Sequence, residues 1–481
     1  MSQPAPSFRD PMGCCCVLEH GVIRLVGSEN VAEFEGFLKT RAAREFEAKR
    51  QVVSTRRLNQ SEIAGLSEST GMKSLLAARP GAAVYEHERI FFPSYPQEWQ
   101  AEMLWEAGRL TLELGRAALA ENYGLKDATP SNILFRGSEP VFVDALSFEH
   151  RKPGDPVWKP CAQFDRNFLL PLLANRRWGI PLADIFATRR DGLEPEEIYR
   201  LCQPWERFYP GILSLVSVPT WLSRRAHPDD QAIYKPRLLA DTEKARYILE
   251  ALFNRVGRTL RSLKPAAQRK STWSNYMDSH SYNDPAFAAK EKFVRAALAE
   301  FKPRRVLDTG ANTGHFSTLA AQAGAEVVAV DLDPVCAGGI WRRAREKKLN
   351  ILPLVVNLAR PSPATGWRNR ECPSFLDRSL GAFDGVLMLA LVHHLLVRER
   401  IPLGEILGLA ADFTTGLAVI EFVGPQDAMF RRLTRGRDDL HAALDERAFE
   451  ECCSAHFEIV RSLPLPGTHR TMYCLKKKGG R

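Results

Sequence analysis

Short apolar runs alternate with amphipathic segments in the carboxy-terminal part of the chain. Runs of aliphatic and β-branched residues predict buried strands, and the segments between them repeat apolar positions at helical spacing. The predicted strands are residues 305–307, 327–330, 350–356, 383–391, 417–422, 457–463 and 470–475, and the predicted helices are residues 286–300, 315–323, 401–413 and 438–456. We expect the last strand to be an antiparallel edge strand. The alternation predicts an α/β fold with a seven-stranded, largely parallel sheet and helices on both faces.

The first half of the chain has a different pattern, which predicts an α+β domain. Residues 17–26 alternate like a strand, and residues 31–51 and 97–122 have helical periodicity. Two short strands, 133–135 and 141–143, follow the second helix. The predicted units are an N-terminal α+β domain (1–150), a helical region with a linker (151–270) and the α/β domain (271–481).

A glycine turn joins the first predicted α/β strand to a helix. Gly310, Asn312 and Gly314 follow the strand, and Asp331 ends the next one, 21 residues beyond Gly310. Glycines let the backbone approach a ligand closely. A carboxylate at the tip of the second strand can accept hydrogen bonds from two ribose hydroxyls. The unit predicts a nucleoside pocket at the carboxyl ends of parallel strands.

The turn departs from the G-x-G-x-x-G fingerprint of dinucleotide-binding proteins. Asn312 replaces the second glycine of that fingerprint, and His315 replaces the third. Asp308 also precedes the turn, where a carboxylate would repel a pyrophosphate but would suit the ammonium group of an amino-acid moiety. These departures disfavour NAD, and a turn that binds no ligand is the other alternative.

The spacing D-x-G-x-x-x-G, formed by Asp308, Gly310 and Gly314, resembles the first motif of class I S-adenosylmethionine-dependent methyltransferases, and Asp331 resembles their acidic second motif. The resemblance implies a Rossmann-like methyltransferase sheet with S-adenosyl-L-methionine as cofactor. The cofactor-binding residues that it implies are Asp308, Gly310, Asn312, Gly314, Asp331, Leu332, Asn357 and Leu358. Asn357 and Leu358 follow the third strand, where this fold reads the adenine edge.

His393 and His394 follow the fourth predicted strand and are the candidate catalytic residues. In class I methyltransferases the tip of that strand lies beside the transferred methyl group. A neutral histidine there can act as a general base on a hydroxyl or an amine. The alternative is a histidine that only packs against the loop or orients it. No metal site is predicted.

The whole chain also resembles a narrower bacterial group, the nodulation-protein-type methyltransferases. The segments that carry this resemblance are YPQEW (Tyr95–Trp99), LKDATPSN (Leu125–Asn132), VDALSFE (Val143–Glu149), RPSPATGW (Arg360–Trp367) and ALVHHL (Ala390–Leu395). Membership implies methyl transfer but leaves the acceptor open.

The spacing of Asp127, Asn132 and Asp144 resembles the catalytic segment of kinase-like phosphotransferases. In those enzymes the first Asp is the base, and the Asn and the second Asp hold Mg²⁺. However, no His or Arg stands just before Asp127, no glycine follows Asp144, and no glycine-rich phosphate loop is evident. A degenerate kinase-like hairpin, an unrelated hairpin and an active kinase all stay open.

Two further segments are candidates for substrate contacts. Trp273, Tyr276 and Tyr282 lie just ahead of the α/β domain, where they form either a lid over the cofactor or a packed surface loop. Arg368 and Arg370 belong to a long insertion after the third strand tip, where they either grip an acidic acceptor or are ordinary surface residues.

The amino-acid composition adds little to these predictions of function. The net charge of +9 is compatible with nucleic acid, but no motif indicates such a partner. The ten cysteines form no C-x-x-C pair, which fits a reducing cytoplasm, and neither a signal peptide nor a membrane span is evident. We therefore expect a cytoplasmic enzyme that methylates an O or N atom of a small-molecule or macromolecular acceptor. The alternatives are a bifunctional protein with a phosphotransferase half and a non-catalytic module that binds the cofactor or RNA.

Overall fold

The structure is a computed structural model, and it describes residues 7, 9–18, 21–66, 70–224, 238–266, 284–434 and 443–479. Its strands are β1 (Gly13–Val17), β2 (Val22–Val26), β3 (Thr55–Arg57), β4 (Ala83–His87), β5 (Tyr123–Leu125), β6 (Ile133–Arg136), β7 (Glu139–Phe142), β8 (Phe148–His150), β9 (Arg305–Thr309), β10 (Glu326–Asp331), β11 (Ile351–Val355), β12 (Phe383–Met388), β13 (Thr414–Val423), β14 (Phe457–Pro464) and β15 (Arg470–Lys477). None of the helices in these ranges is long and apolar enough to span a bilayer.

The α-helices of the amino-terminal half are α1 (Val31–Leu38), α2 (Arg41–Ala48), α3 (Gln60–Leu66), α4 (Thr70–Ala77), α5 (Ala101–Leu119), α6 (Cys161–Phe164), α7 (Leu170–Trp178), α8 (Leu182–Thr188), α9 (Pro195–Leu201), α10 (Pro210–Ile212), α11 (Val218–Ser223) and α12 (Thr242–Ser262). The α-helices of the carboxy-terminal part are α13 (Asp284–Phe301), α14 (His315–Gln322), α15 (Pro334–Glu346), α16 (Phe375–Ser379), α17 (Leu403–Phe413), α18 (Ala428–Thr434) and α19 (Glu446–Ser454).

Seven strands form one mixed sheet in the order β11-β10-β9-β12-β13-β15-β14. The first five of these strands are parallel to one another, and β15 is antiparallel to both of its neighbours. The predicted α/β fold with a seven-stranded sheet is therefore confirmed. The parallel arrangement brings the carboxyl ends of β9 to β13 to one edge.

The prediction that the last strand lies at the edge of the sheet was wrong. β15 is inserted between β13 and β14, and β14 is the edge strand. Met472, Tyr473 and Cys474 are all buried, as expected for a strand covered on both faces. β14 instead alternates buried or half-buried residues with exposed ones, which is the pattern of an edge strand with one solvated face.

The amino-terminal half contains a four-stranded sheet in the order β1-β2-β4-β3, followed by the long helix α5. The single strand predicted over residues 17–26 is in fact split between two antiparallel strands, because β1 ends at Val17 and β2 begins at Val22. The predicted short strands after α5 are confirmed as the hairpin β6–β7. The amino-terminal half thus contains both helices and antiparallel strands, and its assignment as a separate α+β domain stays a prediction.

The amino-terminal half covers one face of the seven-stranded sheet. Leu307, Val328 and Leu352 point to this face, and they belong to the same buried cluster as Trp99 and Phe135. The opposite face packs against helices α13 and α14. A sheet needs a cover on each apolar face, and the segment between β11 and β12 supplies only the five-residue helix α16. The amino-terminal half therefore completes the core of the α/β part.

A buried ion pair joins the two halves where this cover meets the insertion after β11. The guanidinium group of Arg378 donates to the carboxylate of Glu98, and both side chains are almost fully buried. Ser362 also donates to this carboxylate. Arg378 lies over the ring of Phe92, with 4.9 Å between Cζ and the ring centroid. The pair is thus desolvated, and each partner depends on the other.

We expect Arg378→Ala to lower the free energy of unfolding by about 3–5 kcal/mol, because it leaves the carboxylate of Glu98 buried without its cation. Urea unfolding monitored by circular dichroism measures this loss. Arg368→Ala is the matched control, since Arg368 is an exposed arginine of the same insertion. Equal stability of the two variants would contradict a role for the buried pair in joining the halves.

Candidate active site

The strand register gathers the predicted cofactor residues at one edge of the sheet. Thr309 of β9 is level with Val330 of β10 and with Met388 of β12. The next position along β10 is Asp331, which is level with Val355 of β11. The residues that follow these positions therefore lie side by side at the carboxyl ends of the strands.

The glycine turn after β9 uses left-handed backbone at three positions. The φ angles of Gly310, Asn312 and Gly314 are 67°, 50° and 77°. At Gly314 a β-carbon would also lie 2.7 Å from Cγ1 of Ile340. The need for glycine at this position therefore comes from its conformation and from the packing of α15, in addition to any approach of a ligand.

Asp331 caps the turn from the neighbouring strand. Its carboxylate accepts hydrogen bonds from the backbone N–H groups of Asn312, at 2.7 Å, and of Asp333, at 2.9 Å. Burial raises the pKa of Asp331 to about 6, although these hydrogen bonds favour the charged form. The adjacent Leu332 is 53% exposed, which leaves an apolar side chain free beside the carboxylate.

Asp308 lies deeper, beneath the start of helix α14. Its side chain is buried, and its carboxylate accepts a hydrogen bond of 2.5 Å from the hydroxyl of Ser317. Burial raises the pKa of Asp308 to about 7, with a smaller contribution from the negative charge of Asp331. A positively charged ligand at this edge would favour the ionised form of both carboxyl groups.

Asn357 and Leu358 follow β11 and are half-buried. The Asn357 side-chain oxygen accepts a hydrogen bond of 2.9 Å from the backbone N–H of Ala359. This bond fixes the orientation of the amide at the third strand tip. One lone pair of the oxygen and the amide hydrogens stay available to a ligand in this geometry.

The tip of β12 carries a strained turn and the two histidines. Ala390 has a φ of 51°, a conformation that alanine rarely adopts. The rings of His393 and His394 follow, with centroids 4.3 Å apart. His393 is 2% exposed, and within the described ranges of the chain neither of its ring nitrogens has a hydrogen-bond partner. A buried imidazole with two unsatisfied nitrogens is expected to meet a polar group of a ligand or an ordered water.

The surroundings of both histidines favour the neutral imidazole. Burial lowers the pKa of His393 well below its ordinary value, and the neighbouring His394 and the cations Arg470 and Lys290 lower it further. Burial also lowers the pKa of His394 to about 4, with contributions from Arg398 and Arg470. A neutral imidazole can accept a hydrogen bond or a proton from an acceptor group.

Sequence reasoning missed a buried charge network next to these histidines. The ammonium group of Lys290 donates to Glu421 at 2.6 Å, and Arg470 lies 3.4 Å from the other oxygen of this carboxylate. Arg470 also pairs with Asp427 at 2.8 Å. All four side chains are buried. One signal was available, because Lys290 falls on the inward stripe of α13, three residues after Phe287.

The three residues with kinase-like spacing are Asp127, Asn132 and Asp144. Two of them make structural contacts, and the third lies at the surface. Asp144 pairs with the buried Arg24 at 2.8 Å and accepts a hydrogen bond of 2.6 Å from Ser147. The amide of Asn132 donates to the same serine hydroxyl at 3.2 Å, and Asp127 is exposed. The described part of the chain contains no cluster of three or more His, Cys, Asp or Glu side chains suited to a metal ion.

The remaining predicted contact residues belong to the insertion and to the segment ahead of the α/β domain. Arg368 and Arg370 are exposed on the insertion, and their predicted contact with an acceptor stays a prediction. The insertion itself contacts the amino-terminal half through Glu371, which pairs with Arg190 at 3.2 Å. Trp273, Tyr276 and Tyr282, the predicted lid or surface-loop aromatics, lie outside the described residues.

Comparisons with known proteins show which family model and which proteins this chain is similar to. Residues 280–433 match the family model of a methyltransferase domain. The chain is 28% identical to the Nodulation protein NoeA of Rhizobium meliloti (strain 1021), over 98% of this chain and 96% of that protein.

Two of the similar solved structures are methyltransferases by name. The N-methyltransferase NodS from Bradyrhizobium japonicum WM9, in complex with S-adenosyl-L-homocysteine, is 13% identical, with 44% of this chain and 100% of that chain covered and a TM-score of 0.32. The bifunctional kinase-methyltransferase WbdD is 20% identical, with 45% of each chain covered and a TM-score of 0.30.

The matched methyltransferase domain contains the glycine turn and the first four strand tips. The resemblance to class I methyltransferases, and to nodulation proteins over nearly the whole chain, is thereby confirmed. The chain contains a methyltransferase domain and is an S-adenosylmethionine-dependent methyltransferase, with S-adenosyl-L-methionine as its cofactor.

Proposed function

We propose that the protein transfers a methyl group to an oxygen or nitrogen atom of an acceptor bound beside His393. The observation that carries this proposal is the buried, unpartnered imidazole at the tip of β12, at the same edge of the sheet as Asp331. A hydroxyl or amine of an acceptor would satisfy this imidazole. The chemical identity of the acceptor beyond that group is left to experiment.

The residues present fit S-adenosyl-L-methionine. Asp308 and Asp331 are carboxyl groups with raised pKa values, so a ligand that carries an ammonium and a sulfonium charge is complementary to their ionised forms. In our proposal Asp308, Gly310, Asn312 and Gly314 shape the methionine end. Asp331 and Leu332 contact the ribose, and Asn357 and Leu358 contact the adenine. When bound, the cofactor supplies an electrophilic methyl group, and alignment with the acceptor provides much of the rate.

Burial is the main reason why the proposed base is neutral, and the charge network beside the histidines adds to this effect. Lys290 and Arg470 are cations close enough to disfavour an imidazolium at His393. His393 is therefore held neutral, with a free nitrogen that can accept the acceptor's hydrogen bond or proton. Glu421 binds both cations and keeps them in place. His394 packs on this ring and orients it.

In this proposal the amino-terminal half has a structural role and no activity of its own. The contacts of Asp144 with Arg24 and Ser147 leave it engaged, whereas a metal-binding aspartate needs free oxygens. The half also covers one face of the sheet that presents the site. We infer that the kinase-like hairpin is structural and that residues 271–481 do not act as an independent unit.

Asp331→Asn is expected to weaken binding of S-adenosyl-L-methionine by at least about a hundredfold, because it removes the charged acceptor of two ribose hydrogen bonds. Isothermal titration calorimetry measures the change. Asp191→Asn is the control, because Asp191 is exposed and lies far from Asp331 in the sequence. Unchanged affinity in Asp331→Asn would refute the ribose assignment.

Cofactor affinity and stability without cofactor are expected to respond to pH with opposite signs. The folded protein holds Asp308 at a pKa of about 7 instead of 3.8, so it binds more protons than the unfolded chain between these values. The contribution of Asp308 to stability therefore falls as the pH rises from about 4 to 7. Cofactor affinity should rise over the upper part of this range, since the cation prefers the ionised carboxyl group.

The comparison of wild type with Asp308→Asn isolates this group, because other titrating groups contribute equally to both. Chemical unfolding between pH 5 and 8 should show a steeper fall in stability for wild type than for the variant. Parallel curves would mean that Asp308 is not the buried proton-binding group that its surroundings predict.

His393→Ala is expected to lower kcat by about 10²- to 10⁴-fold, the usual effect of removing a general base, while leaving cofactor affinity within a factor of about three. Methyl transfer from labelled cofactor to fractionated cell extract measures the rate and reports the acceptor. His394→Ala is the neighbouring comparison, and His456→Ala is the control outside the site. Full activity of His393→Ala would exclude this histidine as the base.

A further inference from the structure

Six of the fifteen large apolar side chains that are exposed in the described part of the chain lie within residues 201–222. We refer to them as the aromatic face, which consists of Leu201, Trp205, Phe208, Tyr209, Val218 and Leu222. Trp205, Phe208 and Leu222 are 62%, 66% and 61% exposed. Such a concentration of exposed apolar side chains marks an interaction surface.

Ring contacts join the short helices of this region. The rings of Phe208 and Trp221 lie 6.3 Å apart, and Trp221 donates a hydrogen bond of 3.2 Å to the hydroxyl of Tyr199. A further hydrogen bond links them, because the hydroxyl of Ser217 donates to the carbonyl oxygen of Arg207 at 2.7 Å. Exposed side chains from helix α9 to helix α11 are therefore presented by one packed unit.

Arginines surround the aromatic face and add positive charge to it. Arg207 lies over the ring of Tyr199 at 4.1 Å from its centroid, and Arg224 lies over the same ring at 5.4 Å. Across the described residues, neither of these arginines nor Arg200 forms an ion pair with a carboxylate. The carboxylate of Glu206, in contrast, is bound by Arg177.

We propose that the aromatic face binds the surface of an anionic phospholipid membrane. Trp and Tyr prefer the boundary between headgroups and acyl chains, and arginines next to them attract anionic headgroups. Trp205, Phe208 and Leu222 are each more than half exposed, and the fluid headgroup region accommodates exposed apolar side chains without a matching pocket. The protein would thus bind at the membrane surface through this face.

Sedimentation of the full chain with vesicles tests the proposal. We expect binding to vesicles of phosphatidylcholine and phosphatidylglycerol, and at least about tenfold weaker binding to phosphatidylcholine alone. Trp205→Ser combined with Phe208→Ser should weaken binding to the anionic vesicles by at least about tenfold, because two apolar anchors are lost. Arg200→Glu combined with Arg224→Glu should remove the preference for anionic lipid.

Tyr247→Ser is the matched control, since Tyr247 is 73% exposed on helix α12, outside the aromatic face, and should leave binding unchanged. Quenching of tryptophan fluorescence by brominated lipid should drop in Trp205→Phe. Circular dichroism and cofactor binding verify that each variant is folded.

Absence of sedimentation with anionic vesicles would overturn the proposal. Sedimentation that the Trp205/Phe208 double variant leaves unchanged would also overturn it. A third contrary outcome is self-association, detected by light scattering, that the double variant abolishes while vesicles stay unbound. The aromatic face would then be an interface between two copies of the chain.

Discussion

The burial of the second face of the seven-stranded sheet is the constraint on which the rest of the structure depends. Helices α13 and α14 cover one face, whereas the short α16 leaves much of the other to the amino-terminal half. Removing this cover would expose Leu307, Val328 and Leu352 to water. The edge that presents the cofactor site is therefore held in shape by residues far away in sequence.

The insertion after β11 is positioned by contacts with the amino-terminal half, which also covers the second face of the sheet. Its Arg378 forms a buried ion pair with Glu98 of the amino-terminal half, and Ser362 donates a hydrogen bond to the same carboxylate. A desolvated ion pair tolerates little displacement of either partner. The segment that follows Asn357 and Leu358 is consequently anchored, so the adenine side of the proposed pocket depends on contacts with the first half of the chain.

The site itself concentrates buried charge at the sheet edge. Asp308 and Asp331 have raised pKa values because they are desolvated, and Lys290 and Arg470 disfavour an imidazolium at His393. A cationic cofactor would stabilise the ionised forms of the two desolvated carboxyl groups. A neutral acceptor group could donate a hydrogen bond to the uncharged imidazole of His393. This division of charge agrees with our proposal of methyl transfer from a sulfonium, in which the cation and the neutral base lie at different strand tips.

The sequence alone determined the alternation of strands and helices, the glycine turn and the acidic residue at the tip of β10, because each depends on spacing within a short stretch. It also indicated His393, since the residue follows a recognisable strand. Only the tertiary structure decided that β15 lies inside the sheet, that Lys290 meets Glu421, and that Glu98 meets Arg378. The two ion pairs join residues more than a hundred positions apart, and the place of β15 depends on the order of the strands in the sheet. Local periodicity carries no information about such distant partners.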